Sequence, residues 1–229
     1  PILSEVGFLL LSAIIHLAYS LCLQRGYQVA DLSVVYPVAR GTGPMLASIG
    51  AFLLLGERAT AHGLAGLALV VTGILLIATQ GRMDAFRSTE AHKGVRWGMG
   101  TGALIAAYTV VDGYAVKMLG IVPVILDWSS NALRFFMLLP VVLRDRKGAM
   151  AAMQGHWWLA AGVGILSPLS YILVLTALKM GAPLSVVAPT RETSMMVGAL
   201  FGMIFLREAV GVWRLVGCAL LVLGVVLLT

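Results

Sequence analysis

The chain has 229 residues, 60% of them hydrophobic and 11% charged, with a formal net charge of +6 at pH 7. Soluble domains carry about 25% charged residues, so the composition excludes an ordinary soluble fold. The positive charge sits in short polar connections, where Lys and Arg orient membrane proteins, and is no signal for nucleic acid.

From the N-terminus onward, apolar runs of about 20 residues alternate with polar breaks, the pattern of a multi-span helical membrane protein. Hydropathy and breaker residues predict about eight transmembrane helices, over residues 4–24, 31–55, 63–80, 97–116, 122–143, 157–178, 184–206 and 212–228. The runs are continuous rather than alternating, which excludes a membrane β-barrel. Two connections are longer and polar, 80–96 and 144–156. The first is the natural boundary between an N-terminal unit, 1–81, and a C-terminal unit, 97–229. The fold expected is all-α, a polytopic membrane helical bundle. Cys22 and Cys218 lie in apolar runs and read as packing residues rather than a disulfide or metal site.

The second predicted span carries a motif that returns. Leu32–Glu57 reads LSVVYPVARGTGPMLASIGAFLLLGE, and Leu184–Glu208 reads LSVVAPTRETSMMVGALFGMIFLRE. Arg40 matches Arg191 and Glu57 matches Glu208, with a one-residue slip between proline and arginine. Outward, Tyr19 pairs with Tyr171, Gly66 with Gly217 and Gly73 with Gly224. Five spans separate each helix from its repeat partner. Five is odd, so the partners run in opposite directions and the repeat is inverted in the membrane. Spans 97–116 and 122–143 have no counterpart before residue 4, so the first five-helix unit is expected to be incomplete, with three helices. The chain begins at Pro1 rather than methionine, in keeping with a fragment.

Polar groups inside spans are expensive and mark cavities or partners. Tyr36 and Arg40 are four apart on one helix face, as are Tyr108 and Asp112. Asn131 and Arg134 are three apart in the fifth span, and Tyr171 lies in the sixth. Arg191 and Glu192 occupy the repeat position of Arg40. Neighbours on a helix point in different directions, so Glu192 is expected to meet another helix. For Arg40, Arg191 and Glu192, structural pairing and substrate contact both stay open; Asp112 and Arg134 lean towards pairing, and His16 towards packing. Pro37 and Pro189 are repeat partners inside spans, where a proline removes one helical hydrogen bond; each is a candidate hinge or a static kink. Glu57 and Glu208 end their spans and read as caps of the turns there. Gly66, Gly73, Gly217 and Gly224 read as small-residue packing surfaces. No P-loop, HExxH, GxSxG or Cys/His metal cluster is present in the sequence, so no metal or cofactor is expected and no catalytic residue is assigned.

On YPVARGTGP with LLLGER in the first half, and APTRETS with FLRE in the second, the chain resembles the drug/metabolite transporter superfamily, EamA-like branch. The glycine-rich final spans of each half, GLAGLALVVTGILLI and LVGCALLVLGVVLL, fit as well, so the resemblance covers essentially the whole chain. It implies a ten-helix secondary transporter of small metabolites, built from two inverted five-helix units, of which this chain lacks the first two helices. It further implies alternating access, a bacterial cytoplasmic (inner) membrane, and a small polar or amphipathic substrate such as an amino acid or related compound. Substrate contacts are expected from Tyr36, Arg40, Tyr108, Asp112, Arg134, Tyr171, Arg191 and Glu192, with the lipid bilayer as the other partner. A homodimer through the glycine-rich final helices is a further expectation. The rival readings are a non-transporting scaffold or inactive fragment and, further off, an intramembrane enzyme.

Overall fold

A computed structural model describes the backbone of residues 2–81, 86–205 and 211–229, and the side chains of 5–81, 86–198, 201 and 211–229. Glu208 lies outside the described residues. The described residues form helices α1 (Ile2–Val29), α2 (Leu32–Leu54), α3 (Ala61–Thr79), α4 (Thr89–Lys117), α5 (Pro123–Arg144), α6 (Arg146–Met153), α7 (Trp157–Lys179), α8 (Leu184–Thr190), α9 (Ser194–Phe205) and α10 (Val212–Leu228). A 3-10 turn, Arg191–Thr193, joins α8 to α9. Among the described residues there is no strand.

Most predicted spans are found within a few residues, and three features were not expected. Helix α4 begins at Thr89, inside the predicted polar connection, because the Ser88 hydroxyl accepts the Ala91 N–H at 3.0 Å and caps the first turn. The second connection contains the short α6, whose first turn is capped in the same way by Asp145 accepting Gly148 N–H at 2.9 Å. The span expected over 184–206 is broken after Pro189. Proline offers no N–H to the carbonyl one turn back, that of Ser185. The Ser48 hydroxyl of α2 donates to that carbonyl instead, at 3.4 Å.

Among the described residues four helices are long and apolar enough to cross a membrane: α1 from Glu5, α3, α5 and α7. Helix α2 matches them in length but carries Pro37, Arg40 and Pro44. The chain is an all-helical integral membrane protein. Along α7, Trp158, Leu159, Val163 and Leu166 are all exposed, with Trp158 at 90%. Such a face is a liability in water and the ordinary surface of a helix in lipid.

The chain divides into two compact units, residues 1–17 with 111–181, and 18–110 with 182–229. In the first, α5 packs on α7. In the second, α3 and α10 make the most extensive helix contact among the described residues. Their shared core is Val70, Ile74, Ile77 and Leu221. Lipid tails are as apolar as leucine, so such a pair is held by close packing rather than by the hydrophobic effect. A Cβ at Gly66 would stand 2.7 Å from the Gly224 carbonyl oxygen, and one at Gly73 the same distance from that of Gly217. Only glycine fits these approaches. The contacts run in reverse order, 66 with 224 and 73 with 217, so α3 and α10 are antiparallel. Each contact also maps onto the other when repeat partners are exchanged, the signature of a two-fold relation within the unit.

Candidate functional site

The 18–110/182–229 unit gathers the repeated motif around one buried carboxylate. Glu192, in the 3-10 turn, is 0% exposed. Its Oε2 is 2.9 Å from Arg40 Nε of α2, and its Oε1 is 3.6 Å from Arg191 Nε. Glu192 therefore meets another helix, as expected, and its sequence neighbour as well. Arg40 also donates to the Ser194 hydroxyl at 3.4 Å, and its guanidinium carbon lies 5.7 Å above the Tyr36 ring. Neither oxygen of Glu192 is saturated by an aligned hydrogen bond. Two guanidiniums thus flank one carboxylate. Arg40 keeps 24% of its side chain exposed, so its guanidinium remains approachable.

Tyrosines surround the arginines. Tyr19 stacks edge-on against Tyr108 with ring centroids 5.6 Å apart, and lies within electrostatic reach of Arg40 and Arg191. Tyr27 also lies within electrostatic reach of Tyr36 and Arg40. Neither Tyr19 nor Tyr27 is among the expected substrate contacts, although Tyr19 is the repeat partner of Tyr171. Their spacing of eight on α1 puts them two turns apart on one face, a signal that was available.

The start of α8 is fixed by Glu57. Its Oε1 accepts Leu184 N–H at 2.6 Å and its Oε2 accepts Ser185 N–H at 2.9 Å. Pro183, at the N-cap position, makes no side-chain cap bond of its own. Glu57 is thus a cap of a helix that begins 127 residues onward. A cavity of about 310 Å³ opens beside it, lined by Ser48, Glu57, Thr60 and Ser185 among others. Helix α2 runs unbroken through Pro37 whereas α8 ends just after Pro189, so the two candidate hinges sit in different backbone settings.

The 1–17/111–181 unit holds the other expected residues. Asp112 is 0% exposed. Its Oδ2 accepts the Tyr171 hydroxyl at 2.6 Å and lies 3.8 Å from His16 Nε2. The His16 and Tyr171 rings meet edge-on at 5.6 Å. Along α5, Asn131 donates to Asp127 Oδ2 at 2.8 Å, and Arg134 donates to the Asn131 side-chain oxygen. These three polar residues line one wall of a cavity of about 620 Å³, whose other wall includes Ser167, Pro168 and Ile172 of α7. Arg134 is therefore placed with Asp127, a partner the sequence reading did not name. Cys22 and Cys218 are free thiols. Among the described residues no group of three or more His, Cys, Asp or Glu is arranged to hold a metal.

The sequence profile of the EamA-like transporter family matches residues 92–229. No curated protein matches the chain. Among solved structures, one crystal structure superposes with a TM-score of 0.76 over 100% of this chain and 76% of its own, at 17% sequence identity. At that identity the likeness is one of fold.

Proposed function

From the premise that the chain belongs to the EamA-like transporter family, we propose that it carries a small polar or amphipathic metabolite bearing a carboxylate, such as an amino acid or related compound, by alternating access. The family is one of membrane transporters, not of enzymes. The observation that carries it is the Arg40–Glu192–Arg191 cluster. The partly exposed Arg40 guanidinium fits a ligand's carboxylate, and the Glu192 oxygens beside it fit a hydrogen-bond donor such as the ligand's ammonium group. The tyrosines Tyr19, Tyr36 and Tyr108 would supply ring faces and hydroxyls around an apolar body. Asp112, Arg134 and Tyr171 are proposed as further contacts, and Pro37 and Pro189 as hinges. The bacterial cytoplasmic membrane is the proposed location.

Homodimerisation through α3 and α10 belongs to the same proposal. Their glycines already face each other within the chain, so a second copy would meet outer faces such as Leu64, Leu215 and Val222, all exposed.

The test is counterflow of labelled amino acids in vesicles containing the purified protein. Arg40→Ala and Arg191→Ala should each lower flux by about tenfold or more, the scale of a lost charge-assisted contact, while membrane insertion is unchanged. Unchanged flux in both variants would return the cluster to a purely structural role. No flux of any tested amino acid in the unaltered chain would favour the scaffold or fragment reading.

A further inference from the structure

The 1–17/111–181 unit contains an arrangement that substrate contact does not explain. His16 Nδ1 lies 3.0 Å from the Ser12 backbone oxygen. A carbonyl oxygen only accepts, and the Ser12 hydroxyl, 3.4 Å from the same nitrogen, can turn to either role, so the pair of contacts is satisfied with the hydrogen on Nδ1. In the neutral ring Nε2 is then the bare nitrogen, its lone pair outward. That nitrogen stands 3.8 Å from Asp112 Oδ2, an acceptor of an ionised carboxylate. With His16 neutral and Asp112 ionised, two acceptors would oppose each other where neither is solvated. His16 is 8% and Asp112 0% exposed. One additional proton removes the conflict, either on Nε2, giving an ion pair, or on the carboxyl group, giving a neutral acid.

The surroundings are built for a group that changes charge rather than for a fixed ion. Oδ2 is held by the Tyr171 hydroxyl at 2.6 Å, a donor to the ionised form that also tolerates the acid. Oδ1 is buried with no partner of hydrogen-bond geometry, which leaves it room for a proton. The groups facing Asp112 are His16 and the Ser12 hydroxyl from α1, Tyr171 from α7, and Asp127 and Arg134 from α5. Asp127 and Arg134 act at longer range with opposite sign, so no permanent cation sits against the carboxylate. An ion without such a partner is costly at membrane depth, and taking up a proton is the ordinary relief.

We propose that His16, Asp112 and Tyr171 form a proton-binding site, with the exchangeable proton shared between the Asp112 carboxyl group and His16 Nε2, and that its loading and release couple a proton to the transport proposed above. The coupling part rests on that reading; proton binding itself does not. Ser12 and Tyr171 are positioning residues: Ser12 fixes the imidazole tautomer and Tyr171 orients the carboxyl group.

The experiment is infrared difference spectroscopy of the purified full chain in lipid, titrated from about pH 5 to about pH 9, the range in which histidine and its partners exchange protons. A carboxylic-acid carbonyl band should weaken as pH rises. It should vanish in Asp112→Asn, move along the pH axis in His16→Gln, and change frequency in Tyr171→Phe. Aspartate labelled with carbon-13 in the unaltered chain should displace the same band, so the result stands even where a variant folds poorly. An Asp127→Asn control should retain it. A spectrum with no pH-dependent aspartate band, or a band that survives Asp112→Asn, overturns the site. Labelled amino acids moving through a protein whose Asp112 never titrates would sink the proton site and leave transport standing. A titrating Asp112 in a protein that moves none of them would do the reverse.

Discussion

Each unit buries one carboxylate completely, and the two are kept by different means. Glu192 sits between Arg40 and Arg191, at 2.9 and 3.6 Å. Guanidinium groups stay charged at any physiological pH, so both neighbours of Glu192 are permanent cations. Asp112 has a tyrosine hydroxyl at 2.6 Å and an imidazole at 3.8 Å. Neither is a permanent cation, so the charge on Asp112 can change. Equal burial therefore does not mean equal chemistry: the ionisation of the neighbours decides whether a buried acid is a fixed anion suited to building a binding site or a group that can carry a proton.

The comparison is sharpest in a pair of isosteric substitutions. Glu192→Gln removes the counter-ion of two arginines, and unpaired buried charge costs about 3–5 kcal/mol. Asp112→Asn keeps an acceptor for Tyr171 and removes a charge that had no permanent partner, so its cost should stay near the ~1 kcal/mol of an ordinary hydrogen bond. Unfolding of the purified protein in mixed micelles measures both. A smaller loss for Glu192→Gln than for Asp112→Asn would break the distinction.

A second contrast lies in the glycines. At Gly73 an added Cβ meets the Gly217 carbonyl oxygen at 2.7 Å and the Leu221 nitrogen at 2.9 Å, both backbone atoms that cannot turn aside. Gly73→Ala must part α3 from α10, and overpacking of this kind costs about 1–3 kcal/mol. At Gly164 in α7 nothing lies within 4 Å of the added carbon. Gly164→Ala should be neutral or stabilising in the same unfolding assay, because alanine is the better helix former by up to ~1 kcal/mol. Equal destabilisation at both sites would remove the argument for a glycine-dependent contact.

What sequence could show followed from how local the signal was. Apolar runs in a membrane chain record their own environment, so α1, α3, α5 and α7 were legible from hydropathy, and LSVV with its proline and arginine was legible as a recurring motif. Pro189 was legible as a kink or hinge, but not that its helix would break while α2 runs on through Pro37 in the same motif. The two copies differ by one residue between proline and arginine, and the 3-10 turn falls at that slip. A deletion turns the following helix face by about 100°, and a tighter turn is one way to absorb it. The pairing of Arg40 with Glu192 needed only the expectation that charge in a span finds a partner. The His16 tautomer and the grouping of Arg134 with Asp127 depend on side-chain geometry, which spacing along one helix does not supply.

A third contrast concerns Glu57, which joins two segments far apart in sequence without being as deeply buried as Glu192. Both of its oxygens accept backbone N–H groups of α8, at 2.6 and 2.9 Å. The first N–H groups of a helix have no partner within it, and a carboxylate there also meets the positive end of the helix dipole. Pro183 supplies no side-chain cap, so Glu57→Ala leaves both donors to water or to nothing. A lost N-cap costs about 0.5–2 kcal/mol, less than the loss expected for Glu192→Gln. Glu57→Gln keeps one neutral acceptor oxygen and should fall between Glu57→Ala and the unaltered chain. Hydrogen exchange locates the effect as well as sizing it. The amides of Leu184 and Ser185 should exchange faster in Glu57→Ala, while those of Leu67 and Val70 in the α3 core keep their protection. Uniform acceleration across α3 and α8 would mean that Glu57 supports the whole unit rather than the start of one helix, and the contrast between a deep ion cluster and a peripheral cap would have to be redrawn.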